Sequence, residues 1–154
     1  MDVREWLETY KKADELINGK KAEKKDLLNE RQRLIDIATD ISAKMPDGMP
    51  HSNTGTVSQK MQNAVISKII VDWEIENVDN AISAYLDFKK TVITAIEKLP
   101  AKQYGVLHRY YIRGMTMEAI AAEMGKSTVQ IWRIKKKALE NLENVIECND
   151  ISVV

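Results

Sequence analysis

The sequence predicts an all-α protein: a long antiparallel helical hairpin, coiled-coil-like in its spacing, followed by a C-terminal helix-turn-helix module. Three observations carry this reading. Only 6 Gly and 3 Pro occur in 154 residues, while 30% of the chain is charged; long helices, not frequent turns, have that composition. Apolar residues recur at alternating spacings of three and four over two long stretches. After Pro100 the pattern shortens into segments bounded by Gly and by capping residues.

The first long helix is expected to start at Asp2, with Glu5 in its first turn. Its seam runs Val3, Trp6, Tyr10, Ala13, Ile17, Leu27, Leu34, Ala38, Ile41 and Met45, and turns polar near Lys20, Lys24 and Arg31. Around Asn18 and Gly19 the helix either continues or breaks in two, since Gly costs about 1 kcal/mol relative to Ala in a helix interior. A loop is expected over 46–56, where MPDGMPHSNTGT holds two prolines, two glycines and no periodic pattern. Thr56 is the expected cap of the next helix, with Gln59 completing a capping box.

The second long helix repeats the spacing at Val57, Met61, Ala64, Val71, Ile75, Val78, Ile82, Tyr85, Val92, Ile96 and Leu99, interrupted by Lys68 and Lys89. Two such seams joined by a short loop should fold back on each other, each helix running roughly 60 Å if unbroken. Ile66, Ile70, Trp73 and Leu86 lie off the seam. They call for a second contact, with the C-terminal module or with another copy of the chain. The expected divisions are a hairpin over 1–99, a module over 100–148 and a tail over 149–154.

The module should hold three short helices. The first spans Ala101 to Arg113, with Val106, Leu107 and Tyr110 inward and Gly114 ending it. Thr116 caps the second, Met117 to Met124, where Glu118 complements the positive helix end and Ile120, Ala121 and Met124 face inward. Gly125 supplies the turn residue that tolerates positive φ. Ser127 caps the third helix, with Gln130 at the capping-box position. Ile131 and Ile134, continued by Ala138, Leu139 and Leu142, form its inner face. At 100° per residue, Val129, Trp132, Arg133 and Lys136 point the other way, flanked by Thr128, Gln130 and Lys137.

That outer face suits duplex DNA. The net charge is zero, but Lys126 to Leu139 holds Lys126, Arg133, Lys135, Lys136 and Lys137 and no acid. A local cationic stripe is the footprint of phosphate contact, although such runs are also common on solvated helix faces. The expected DNA-binding residues are Lys126, Ser127, Thr128, Val129, Gln130, Trp132, Arg133, Lys135, Lys136 and Lys137. Arg133 can fork onto a guanine edge. Lys135 and Lys137 are expected to meet phosphate or solvent. Trp132 either touches sugar or a thymine methyl, or packs against neighbouring helices, the commoner fate of Trp. The helix starts at Ser127 and Thr116 offer backbone donors to phosphates.

Other chemistries find no support. The one cysteine, Cys148, forms no internal disulfide and has no evident base nearby. His51 and His108 lack partners at ligand spacing, so no metal and no cofactor are expected. No phosphate loop or nucleophile–base signature occurs, so the protein is not expected to be an enzyme. No apolar run is long enough to span a membrane, and MDVREW is not a secretory signal; a cytoplasmic location is expected.

The run LPAKQYGVLHRYYIRGMTMEAIAAEMGKSTVQIWRIKKKALENL, Leu99 to Leu142, resembles region four of bacterial sigma factors. With the two long helices and the MPDGMPHS loop, the chain resembles the ArpU and RinA type of phage and prophage regulators. The resemblance implies a late-gene transcriptional regulator whose residues Thr128, Val129, Gln130, Trp132 and Arg133 face the major groove. Thr, Val, Gln and Trp depart from the usual sigma-factor residues there, so the implied target is not an ordinary promoter element. The expected partners are double-stranded DNA, then RNA polymerase, and a second copy through the hairpin. The alternatives are a sigma-like module that binds RNA polymerase or a phage assembly protein without reading DNA, and a terminase-like DNA-packaging subunit.

Overall fold

A computed structural model of the chain describes residues 2–43 and 54–148. Met45, His51, most of the expected loop and the 149–154 tail lie outside the described residues. The described chain is all helical: α1 (Val3–Ala43), α2 (Thr54–Glu97), α3 (Ala101–Leu107) continued by a π-helical turn (His108–Ile112), α4 (Met117–Met124) and α5 (Thr128–Cys148). Asp2 caps α1, accepting from the Arg4 N–H at 3.2 Å. Asn18 and Gly19 do not break α1, which runs through both in helical geometry. The second helix begins at Thr54, so Thr56 lies inside its first turn and not ahead of it. The contacts fall into two units, residues 17–83 and residues 1–16 with 84–154.

Within residues 17–83, α1 and α2 run antiparallel, and ion pairs mark the register. Lys24 meets Asp79 at 2.7 Å; one heptad on, Arg31 meets Asp72 one heptad back, also at 2.7 Å. Lys68 reaches the same Asp72 at 2.8 Å from one turn away. Its hydrogen bond and the Arg31 charge hold the Asp72 carboxyl below the usual carboxylate range. The polar interruptions of the seams are therefore paired across the helices or along them. Pairs this exposed are each worth at most about 1 kcal/mol, so they choose the register more than they hold it. Burial of Ile17, Leu34, Ala64, Val71 and Val78 does the holding. Ile66, Ile70 and Trp73 are exposed.

In the other unit, the first turns of α1 and the last turns of α2 pack with the C-terminal helices. Val3, Trp6, Leu7 and Tyr10 share one core with Val92, Ile96, Leu99, Leu107, Tyr111, Ala138, Leu142 and Ile146. Leu7 is off the seam but fully buried, because α1 here meets helices on two sides. Trp6 packs edge-on against Phe88, ring centroids 6.0 Å apart, and Lys89 pairs with Asp14. Fully burying a large apolar side chain is worth about 1.5–3 kcal/mol. A module this short thus gains a core it could hardly build alone. A second, smaller cluster of Val106, Met117, Ile120, Ala121 and Ile131 lies within the short helices.

Candidate nucleic-acid interface

The helix-turn-helix is built from local hydrogen bonds that the sequence specifies. Thr116 caps α4, its hydroxyl accepting from the Ala119 N–H at 3.3 Å. Gly125 ends α4 in the left-handed conformation, φ 61°. The Lys126 N–H then donates to the Ala121 carbonyl and the Gly125 N–H to that of Ala122, at 3.0 and 3.4 Å. This pair of bonds satisfies the last carbonyls and reverses the chain within a few residues. Ser127 and Gln130 form a reciprocal capping box: Ser127 N–H to Gln130 Oε1 at 3.1 Å, and Gln130 N–H to Ser127 Oγ at 3.3 Å. Asn141 on α5 donates to Gln103 on α3 at 2.8 Å, clipping the third helix to the first.

The first short helix departs from expectation at its end. His108–Ile112 is a π turn, with the Arg113 N–H on the His108 carbonyl. Gly114 has φ 64°, as expected of a terminating glycine. The Met115 N–H reaches back to Arg109, one residue further than the matching bond at Gly125. The wider turn brings both Tyr110 and Tyr111 inward, their rings 4.8 Å apart and nearly perpendicular. Buried Gly105 leaves room for the Arg109 guanidinium, which lies 3.1 Å from where a Cβ would stand. Arg109 and Arg113 both reach Glu123, at 3.2 and 3.4 Å, tying the first short helix to α4. The Arg109 hydrogen bond holds the Glu123 carboxyl below its usual range.

On α5 the two faces separate as the 100° wheel requires. Ile131, Ala138 and Leu142 are fully buried and Ile134 half-buried. Val129, Trp132, Arg133 and Lys136 form an exposed stripe on the opposite side, with Ser127, Gln130 and Lys137 also exposed. Lys126 and Thr128 are half-buried. Trp132 is 53% exposed, so the expectation that it would pack is not met. The Gln130 side chain is engaged in the cap, not held out beyond the helix.

Lys135 corrects the sequence reading. It is only 8% exposed, so it is neither solvent-facing nor available to phosphate as the chain stands. Its Nζ lies 3.5 Å from the Tyr110 ring centroid and within 5.2 Å of the Tyr111 and Trp132 rings. Burial, and then the nearby Lys11 ammonium, push its pKa below the ordinary lysine value. The cationic run is thus split: Lys136 and Lys137 point out, and Lys135 is held under them by aromatic rings.

Beside the stripe lies an open groove of about 600 Å³ between α5 and the first turns of α1, with Arg4, Glu8, Trp132, Arg133 and Lys136 on its walls. Arg4 was absent from the sequence-derived site. Its distance along the chain hides it; the only clue is that it sits among the buried Val3, Trp6 and Leu7. Among the described residues no helix is long and apolar enough to cross a membrane. No group of His, Cys, Asp and Glu there could hold a metal ion.

Comparison with known proteins agrees with this geometry. Residues 95–144 match the family described as Sigma-70, region 4. The match begins in the last turn of α2, where Ala95 and Ile96 join the α5 core, as Leu99 does just beyond the helix. RNA polymerase sigma factor SigO of Bacillus subtilis (strain 168) is 48% identical over 48 residues, which are 31% of this chain and 27% of that protein. The chain therefore matches little more than a quarter of that relative's length. No solved structure matches the chain. The C-terminal helices are thus similar to sigma-70 region 4 and have a helix-turn-helix arrangement.

Proposed function

We propose that the protein is a sequence-specific DNA-binding transcriptional regulator that reads the major groove with α5. The observation that carries this is the exposed stripe of Val129, Trp132, Arg133 and Lys136 on the outer face of the third helix of a region 4 fold. Arg133 is the base-reading residue, its guanidinium matching the acceptor pair of a guanine. Val129 and Trp132 offer apolar contact to thymine methyls or sugar. Lys126, Lys136, Lys137 and Arg4 contact phosphates, and the first N–H groups of α5 add neutral donors. Ser127, Thr128 and Gln130 shape the helix start that enters the groove. The likeness to the ArpU and RinA regulators supports a role at phage or prophage late genes, in the cytoplasm.

A second reading rests on one feature. Val129 and Trp132 are apolar and more than half exposed beside an open groove, a surface that also suits a protein partner such as RNA polymerase.

Selection of bound fragments from a genomic library, followed by titration on a selected and a scrambled duplex at several salt concentrations, separates the two. A DNA reader loses affinity steeply with salt. Arg133→Ala costs it about 1–3 kcal/mol on the selected site and much less on the scrambled one. Equal losses on both make Arg133 a phosphate contact. A wild-type chain with no preference for any fragment favours the protein-binding reading.

A further inference from the structure

One face of α2 is apolar and uncovered. Val65, Ile66, Ile69, Ile70 and Trp73 are 44%, 56%, 61%, 52% and 64% exposed. At 100° per residue they form a single stripe opposite the buried Ala64, Val71 and Val78. The flanking charges Lys68 and Asp72 are paired with each other, and Asp72 also with Arg31. From Val65 to Trp73 the stripe itself holds no charge, and Glu76 follows one turn beyond Trp73 on the same face.

We propose that this stripe is the interface between two copies of the chain, paired antiparallel about Ile69 and Ile70. The proposal concerns the α1–α2 pair alone and stands apart from the DNA-reading proposal. Area is the first argument. Five large side chains, each about half exposed or more, present on the order of 500 Å² per chain, and two copies together reach the roughly 1,000 Å² a specific interface needs. A patch of that size is at the upper end of what a monomer exposes, where such patches often serve an interaction.

Self-complementarity is the second argument, and it also sets the direction. In antiparallel register Ile66 meets Trp73, Ile69 meets Ile70, and Gln62 meets Asn77 at the polar ends. Glu76 then faces Asn63, an amide that can donate to it. A parallel pair would instead bring Glu76 toward Glu76, which like-charge repulsion opposes. A two-fold axis through the stripe also makes the contact close on itself, giving a dimer and not a filament. The acids at one end disfavour nucleic acid or an anionic lipid surface as the occupant.

Sedimentation of the full chain at about 100 µM, a concentration that populates even a weak dimer of micromolar Kd, tests the proposal. The wild type is expected to be a dimer. Ile69→Asp, at an exposed position, is expected to be a monomer with an unchanged helical circular dichroism signal. A monomeric wild type overturns the proposal; if that monomer then binds RNA polymerase and Ile69→Asp abolishes the binding, the polymerase is the occupant. A dimer that survives Ile69→Asp also overturns it. The register is read by disulfide formation in a Cys148→Ser background. Gln62→Cys and Asn77→Cys chains are expected to crosslink when mixed and not when kept apart. Crosslinking of each variant with itself overturns the antiparallel arrangement.

Discussion

Lys135 on α5 holds its ammonium 3.5 Å from the centroid of the Tyr110 ring, while Lys11 on α1 reaches the same ring at 4.1 Å. An uncharged ring here takes the place of a carboxylate, and two like charges converge on it. The arrangement is favoured by the negative face of the ring and opposed by desolvation. It buries the first member of the Lys135–Lys137 run within the module. Lys135→Ala is therefore expected to destabilise the fold by about 1–3 kcal/mol through lost packing and ring contact. It should leave the salt slope of DNA binding unchanged in the folded protein. Lys136→Ala and Lys137→Ala should do the reverse, each flattening the slope by about one ion with little effect on stability. Urea unfolding and salt titrations on the three variants check this; a flattened slope for Lys135→Ala at full stability would show that the side chain swings out.

The capping box makes a prediction about Ser127 and Gln130. Ser127→Ala should cost about 1 kcal/mol, the usual loss of a helix cap. Gln130→Ala should also cost stability, by removing the acceptor for the Ser127 N–H. Because each bond helps to position the other, the double variant should cost less than the two single losses added together. A double-mutant cycle by chemical unfolding measures the coupling. Gln130→Ala with unchanged stability but relaxed preference at an adenine would mean that the side chain leaves the cap to read a base.

The two faces of α5 should answer differently to the same substitution. Ile131 is fully buried and Val129 is 59% exposed, two residues apart. Ile131→Asp strands a carboxylate in the apolar cluster and should cost more than about 4 kcal/mol, enough to unfold the module. Val129→Asp should keep the helical signal and thermal transition, yet lower DNA affinity by adding a negative charge where phosphate approaches. Circular dichroism melts and one binding titration test both; a folded Ile131→Asp chain would reverse the assignment of the faces.

Tyr111 gives the module an alkaline limit. Burial first, and then the Glu8 charge and the neighbouring Tyr110, push its phenol up to about 12 from an ordinary value of 10.0. The folded state therefore favours the protonated phenol. That stabilisation is complete below pH 10 and is lost as pH rises from about 10 to about 12, a loss of roughly 2–3 kcal/mol. Tyr111→Phe, which cannot ionise, should lack this component. The check is unfolding free energy at about pH 9 and about pH 11 for both proteins. Equal alkaline losses in the two would show that the phenol is not the group responsible.

Where a structural decision depends on a few neighbouring residues, the sequence by itself determined it. The caps at Thr116 and Ser127, the turns at Gly114 and Gly125, and the inner face of Ile131, Ala138 and Leu142 all follow from local hydrogen bonding and from a period of 3.6. The seams of α1 and α2 were legible for the same reason. Tertiary structure decided the matters that depend on residues far apart in the chain. Leu7 is buried because two elements flank α1 there. Lys135 is buried because the π turn brings Tyr110 and Tyr111 beneath it. Arg4 joins the α5 groove because the start of α1 returns to the module, across more than a hundred residues of chain. Trp132 is exposed because the core positions of α5 are already filled by smaller, branched side chains. Local propensity sets which face of a helix is apolar; only packing decides what that face meets, and so which of its neighbouring charges remain free to bind.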